Sequence, residues 1–187
     1  MGRLRLATVW LGGCSGCHMS FLDLDEWLID LAGMAEIVFT PFMDTKEYPE
    51  NVDVCLVEGA VANEDNLEMI QKVRSRTKVL VSFGDCAVTG NVTALRNPLG
   101  RALPVLQRSY VELADLTPQI PSEPGIIPRL LDRVEPVHKV VDVDIFMPGC
   151  PPPADRIRKT LEALLAGRKP ELHGGDIRFG SGRTAER

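Results

Sequence analysis

The chain has 187 residues, within the usual range of a single domain, and its composition is that of a soluble protein: 44% hydrophobic and 25% charged. A net charge of −5 and only 5% aromatic residues argue against nucleic acid as a partner, since that partner demands a basic face and stacking platforms. No apolar run approaches the ~20 residues of a bilayer span, so membrane insertion is not expected.

Residues 4–11 form a short apolar run that ends in glycines, a first strand. Ser20 reads as the cap of the next helix, with Asp23 in its first turn. Phe21, Leu24, Leu28 and Leu31 follow at helical spacing, and Gly33 reads as the stop. Residues 36–40 are a second strand, halted by Pro41, and residues 52–57 a third, followed by Glu58. Residues 63–76 read as a helix with Glu64 and Asp65 in the first turn and Lys72, Arg74 and Arg76 in the last. That order suits the helix dipole, worth roughly 0.3–1 kcal/mol per well-placed charge. Residues 78–83 and 141–147 are the fourth and fifth strands, and residues 155–165 a closing helix with Ile157, Leu161, Leu164 and Leu165 inward.

Strands alternating with helices imply an α/β fold, a mainly parallel sheet covered on both faces. Residues 93–136 break the rhythm. They hold seven of the 14 prolines and leave room only for short helices, near 101–106 and 126–134. The expected organisation is therefore one domain over 1–170 carrying this Pro-rich insertion, and a tail over 171–187. The tail reads equally as a frayed end or a docking strap. The start of the chain shows neither a secretory apolar region nor a twin-arginine pair, which points to the cytoplasm.

Five cysteines in a reducing compartment are a poor disulfide set. Cys14 and Cys17 follow the first strand, Cys86 the fourth and Cys150 the fifth. In an open parallel sheet those carboxyl ends share one edge, where ligands bind. Four converging thiolates fit zinc or an iron–sulfur cluster. Structural zinc usually takes two close pairs, whereas here the second half is two isolated cysteines. Proline directly after the last ligand, as in Cys150-Pro151, is common in ferredoxin-type sites. The glycines beside each cysteine let backbone N–H groups approach a buried anionic cluster. The spacing therefore favours [4Fe–4S] over zinc. A thioredoxin-like dithiol would use Cys14 and Cys17 but leaves Cys86 and Cys150 unexplained.

Cys55 lies within the third strand and reads as a small buried hydrophobe. Glu58, on the same edge as the four cysteines, either caps a helix or accepts backbone hydrogen bonds, or serves as a proton relay or support beside the cluster. Asp85 reads as ordering its loop. Thr89 and Asn91 are either donors to sulfur or solvated surface groups. His18 reads as a loop histidine or a partner contact, and His138 and His173 as surface residues.

Cys14-Ser15-Gly16-Cys17, Gly84-Asp85-Cys86-Ala87 and Pro148-Gly149-Cys150-Pro151-Pro152 resemble the small subunit of [NiFe] hydrogenases. The stretch from Pro136 to Val141 and Asp144 are similar to the same family, and the likeness runs from about Val9 to Pro153. The resemblance implies a flavodoxin-like three-layer sandwich. It also implies one [4Fe–4S] cluster on Cys14, Cys17, Cys86 and Cys150, at the carboxyl edge of the strands, with no catalytic residue in this chain. The Ni–Fe centre would sit on a partner large subunit. With no cysteine after Cys150, no medial or distal cluster is expected, and Gly84 to Val92 resembles the cytoplasmic NAD-reducing members. Those members imply partner diaphorase subunits carrying iron–sulfur clusters, flavin and NAD. The related cluster-bearing subunit of complex I, a quinone oxidoreductase, usually shows adjacent cysteines where this chain has Cys14-x-x-Cys17, and is the alternative.

Overall fold

In the computed structural model, which describes residues 2–181, strand β1 (Leu4–Trp10) lies inside a parallel sheet, next to one edge. It pairs on one side with β2 (Ala35–Phe39) and on the other with β3 (Val52–Glu58). β3 pairs in turn with β5 (Thr77–Phe83), and β5 with β7 (Ile145–Met147). The order β2-β1-β3-β5-β7 is the flavodoxin-like one, in which the chain reverses direction across the sheet between β1 and β3. The expected α/β fold with a mainly parallel sheet is therefore present.

Alternation along each strand divides the core between the two faces. Leu6, Val54, Leu56, Val81 and Phe83 face helices α1 (Gly16–Leu22), α2 (Trp27–Met34) and α6 (Ala154–Leu165), against Phe21, Leu31, Ile157 and Leu161. Ala7, Val9, Cys55, Val57 and Leu80 face α3 (Glu64–Arg76), against Ile70 and Val73. Asn63 caps α3 by accepting the Asn66 amide at 2.8 Å, and the acidic first turn and basic last turn are as the sequence predicts. Among the described residues no helix is long and apolar enough to cross a membrane.

Five expectations need correction. The first helix is two: α1 ends at Leu22, Asp25 adopts φ 49°, and α2 begins at Trp27. Ser20 caps neither. It is buried within α1, where its hydroxyl donates to the Pro152 carbonyl at 2.6 Å. Gly33 lies inside α2, and β2 follows at once. The helix expected over 126–134 is a strand from Leu130 on: β6 (Leu130–Glu135) pairs antiparallel with β4 (Val61–Asn63). Arg96 ties this second sheet to the 3₁₀ segment Asn91–Leu99 by donating to the Ala62 and Leu131 carbonyls, while α5 (Ala102–Gln107) occupies the expected position near 101–106. The fifth strand is short, Ile145–Met147 rather than 141–147, and the Val141 amide instead bonds back to the Val137 carbonyl.

Candidate metal centre

The carboxyl edge of the main sheet gathers three loops. The β1 loop carries Cys14 and delivers Cys17 into the first turn of α1. The β5 loop turns at Gly84 into α4 (Asp85–Thr89), which holds Cys86. The β7 loop carries Cys150. Gly84 is required here twice over: its φ is +85°, and a β-carbon would lie 2.2 Å from Cys17 Sγ. The β5 and β7 loops are laced together, Gly84 N–H donating to Met147 O at 2.8 Å and Asp85 N–H to Gly149 O at 2.9 Å.

Cys17 and Cys86 are buried, and Cys14 and Cys150 are exposed. Burial pushes the Cys17 thiol far above its usual range, and Glu58, Cys86, Cys14 and Cys150 push it the same way. Burial also raises Cys86, with Cys14 and Cys150 adding to the effect, against hydrogen bonds from Thr93 and the Val92 amide. Cys14, Cys17, Cys86 and Cys150 thus lie close enough to act on one another electrostatically. Thiolates so placed need positive charge between them, and an inorganic iron–sulfur core supplies it. Donors to sulfur are already aimed: Gly16 N–H to Cys14 Sγ at 3.4 Å and Asn91 Nδ2 to Cys150 Sγ at 3.5 Å. Among the described residues, no three His, Cys, Asp or Glu side chains are gathered as one metal ion requires. The donor chemistry, four thiols with a backbone amide and the Asn91 carboxamide aimed at sulfur, fits a cluster.

Glu58 supplies the cap that the sequence placed at Ser20. It ends β3, is 1% exposed, and accepts the amides of His18 at 2.9 Å and Cys17 at 3.3 Å, the first turn of α1. His18 Nδ1 also meets the Glu58 carboxylate, and Nε2 lies 3.0 Å from the Thr8 hydroxyl, which donates to Thr40 at 3.1 Å. His18 is thus a buried structural residue rather than a loop or contact histidine. No local signal reveals this network, because its members come from β1, α1 and β3.

Asp85 orders its loop as expected, accepting the Gly149 amide at 2.6 Å. Thr89 donates to Asp85 O within α4 and not to sulfur. Cys55 lies on the opposite sheet face from Cys17, fully buried beside Tyr48, and burial pushes its thiol up to about 12. His138 stands edge-on to Phe146, and His173 is exposed near Glu171.

The family described as NADH ubiquinone oxidoreductase, 20 Kd subunit, matches residues 14–164, from the first cysteine of the site past the last. The chain belongs to this family. Within it the chain is homologous to hydrogenase subunits. It is 39% identical to the delta subunit of the NAD-reducing hydrogenase HoxS of Cupriavidus necator, over 95% of this chain and 86% of that one. It is 41% identical to a subunit of the F420-non-reducing hydrogenase of Methanothermobacter thermautotrophicus, over 91% of this chain but only 56% of that one. The chain thus spans little more than half the length of that relative. A chain in a crystal structure of an NAD+-reducing [NiFe]-hydrogenase in the H2-reduced state superimposes with a TM-score of 0.90 at 38% identity, covering 95% of this chain and 99% of that one.

Proposed function

We propose that the chain is the electron-transfer small subunit of a cytoplasmic [NiFe] hydrogenase and holds one [4Fe–4S] cluster on Cys14, Cys17, Cys86 and Cys150. The observation that carries this reading is that the loops after β1, β5 and β7 bring Cys14, Cys17, Cys86 and Cys150 to one sheet edge, two of them buried. When bound, the cluster accepts and releases one electron at a time. This chain makes and breaks no substrate bonds. Cys17 and Cys86 keep the site's inner side dry, while the exposed Cys14 and Cys150 leave its other side open to a partner. Asn91 and the Gly16 amide donate to sulfur, and such bonds set the potential.

The partners that fit are a large subunit bearing the Ni–Fe site, where H2 is split reversibly, and diaphorase subunits with iron–sulfur clusters and flavin that reduce NAD+. The NAD-reducing relatives, aligned over nearly the full chain, support this assembly. The exposed apolar side chains Met19 and Leu22 of α1, and Trp10 at the end of β1, offer that assembly contact surface beside the site. The family description also covers quinone-linked enzymes, but the Cys14-x-x-Cys17 spacing and the hydrogenase relatives favour hydrogenase. Purification of the native assembly tests the reading. Nickel in a co-purifying chain, iron in this one and H2-dependent NAD+ reduction are expected. Zinc alone, or no nickel-bearing partner, overturns it.

A further inference from the structure

We infer that residues 173–181 are a clasp that fixes the Cys150 loop, with Asp85 and Arg156 as the positioning residues that hold it shut. The inference rests on the cluster reading for its consequence but on hydrogen bonds for its geometry.

The loop after β7 has no regular structure of its own, and Gly149 adopts φ +139°. Its order comes from elsewhere. The Cys150 amide donates to the Gly180 carbonyl at 2.8 Å, and the Gly180 amide donates to Asp85 Oδ2 at 2.7 Å. The other Asp85 oxygen takes the Gly149 amide at 2.6 Å. One buried carboxylate therefore bridges the segment at Gly180 and the loop at Gly149, the residue before Cys150.

Arg156, in the first turn of α6 and 6% exposed, closes the far side. Its guanidinium donates to the Pro148 carbonyl in the loop and to the Gly175 and Arg178 carbonyls in the segment, the latter two at 2.7 and 3.3 Å. Lys159 and Asp176 pair at 2.5 Å on the surface above it. A planar fork of fixed donors suits such a three-carbonyl staple, and a lysine does not reproduce it. Without the segment, the Cys150 amide and one Asp85 oxygen lose their partners and Arg156 keeps one of three. As far as residue 181 the tail is therefore not a frayed end but is bonded to its own chain. Residues 182–187 lie outside the described residues.

The role assigned is to keep one ligand of the site in place, so its signature is the lifetime and environment of the cluster. Gly180→Pro removes the amide that Asp85 binds and forbids the φ of +76°, while no group lies within 4 Å of the position where a β-carbon would stand. Arg156→Lys and Arg156→Ala weaken the other staple. In the purified assembly, iron release to bipyridyl should be about tenfold faster in Gly180→Pro, the factor expected for one lost bond to a buried carboxylate. Arg156→Lys should fall between the parent and Arg156→Ala, and the electron paramagnetic resonance of the reduced cluster should shift in each variant. Iron release and spectra identical to the parent overturn the clasp.

A second readout needs no cluster. In the metal-free chain, iodoacetamide should label Cys150 faster in Gly180→Pro, with Cys14 unchanged. Equal acceleration at both cysteines means general loosening and also overturns the clasp. A parent chain that purifies without iron refutes the cluster reading, while the labelling contrast still decides the clasp.

Discussion

Replacing Glu58 removes the acceptor of the Cys17 and His18 amides in the first turn of α1. In Glu58→Ala the amides of Cys17 and His18 and the His18 ring nitrogen lose their partner in a site that is 1% exposed. A buried donor left unpaired costs about 1–3 kcal/mol, so three of them bring the loss to at least roughly 3 kcal/mol. That is a large share of the 5–15 kcal/mol that is typical of a folded domain. At about 2–4 °C per kcal/mol for a chain of this size, the melting temperature should fall by at least roughly 6 °C. Glu58→Gln keeps one acceptor oxygen but turns an amide group toward a donor, so its loss should be smaller.

The electrostatic effect is separable from the structural one. Glu58 stands among the groups that raise the Cys17 thiol, second to burial itself. Removing its charge favours the more negative, reduced state of a bound cluster, so Glu58→Gln should raise the reduction potential. Thermal unfolding followed by circular dichroism reads the first effect, and a redox titration followed by electron paramagnetic resonance reads the second. A Glu58→Ala chain that melts within 1 °C or so of the parent would refute the capping argument. An unchanged potential in Glu58→Gln would refute the charge argument.

Three further outcomes are expected. Cys86→Ala and Cys150→Ala should lose or degrade the cluster, whereas Cys55→Ala should keep it and cost roughly 1 kcal/mol of stability, as iron content and unfolding will show. Asn91→Gly, which tolerates the φ of 35° at that position, removes the donor to Cys150 and should lower the potential; a potential that stays or rises contradicts the bond. Burial alone would raise the Asp144 carboxyl, but the Leu80 amide and the Arg74 guanidinium outweigh it and hold the group below its usual range. A depressed carboxyl stabilises above its unfolded value of about 4 and loses that contribution as pH falls through the folded one. Asp144→Asn should therefore flatten the acid limb of stability against pH below about 4, with little change in the slope above it.

The five strands of the main sheet were legible because their apolar runs need no partner to be recognised, and the four site cysteines because each follows such a strand. What escaped was whatever depends on distant pairing. Leu130 and Leu131 carry no period that marks a strand, and only β4, far earlier in the chain, makes them one. Ser20 looks like a cap by residue type, yet the acceptor for α1 comes from β3. His18 has no ligand-like neighbours in sequence, and its burial follows from Thr8 and Glu58 on two adjacent strands. Arg156 reads as one more solvated charge on a helix until the Gly175 and Arg178 carbonyls close over it.

The central claim is that Cys14, Cys17, Cys86 and Cys150 together hold one cubane. Counting iron and acid-labile sulfide in the purified protein tests it most directly. Four of each assigned to this chain, beyond any clusters in co-purifying subunits, is the predicted result. A single zinc without visible absorbance, or a redox-active Cys14–Cys17 pair indifferent to loss of Cys86 and Cys150, would contradict it.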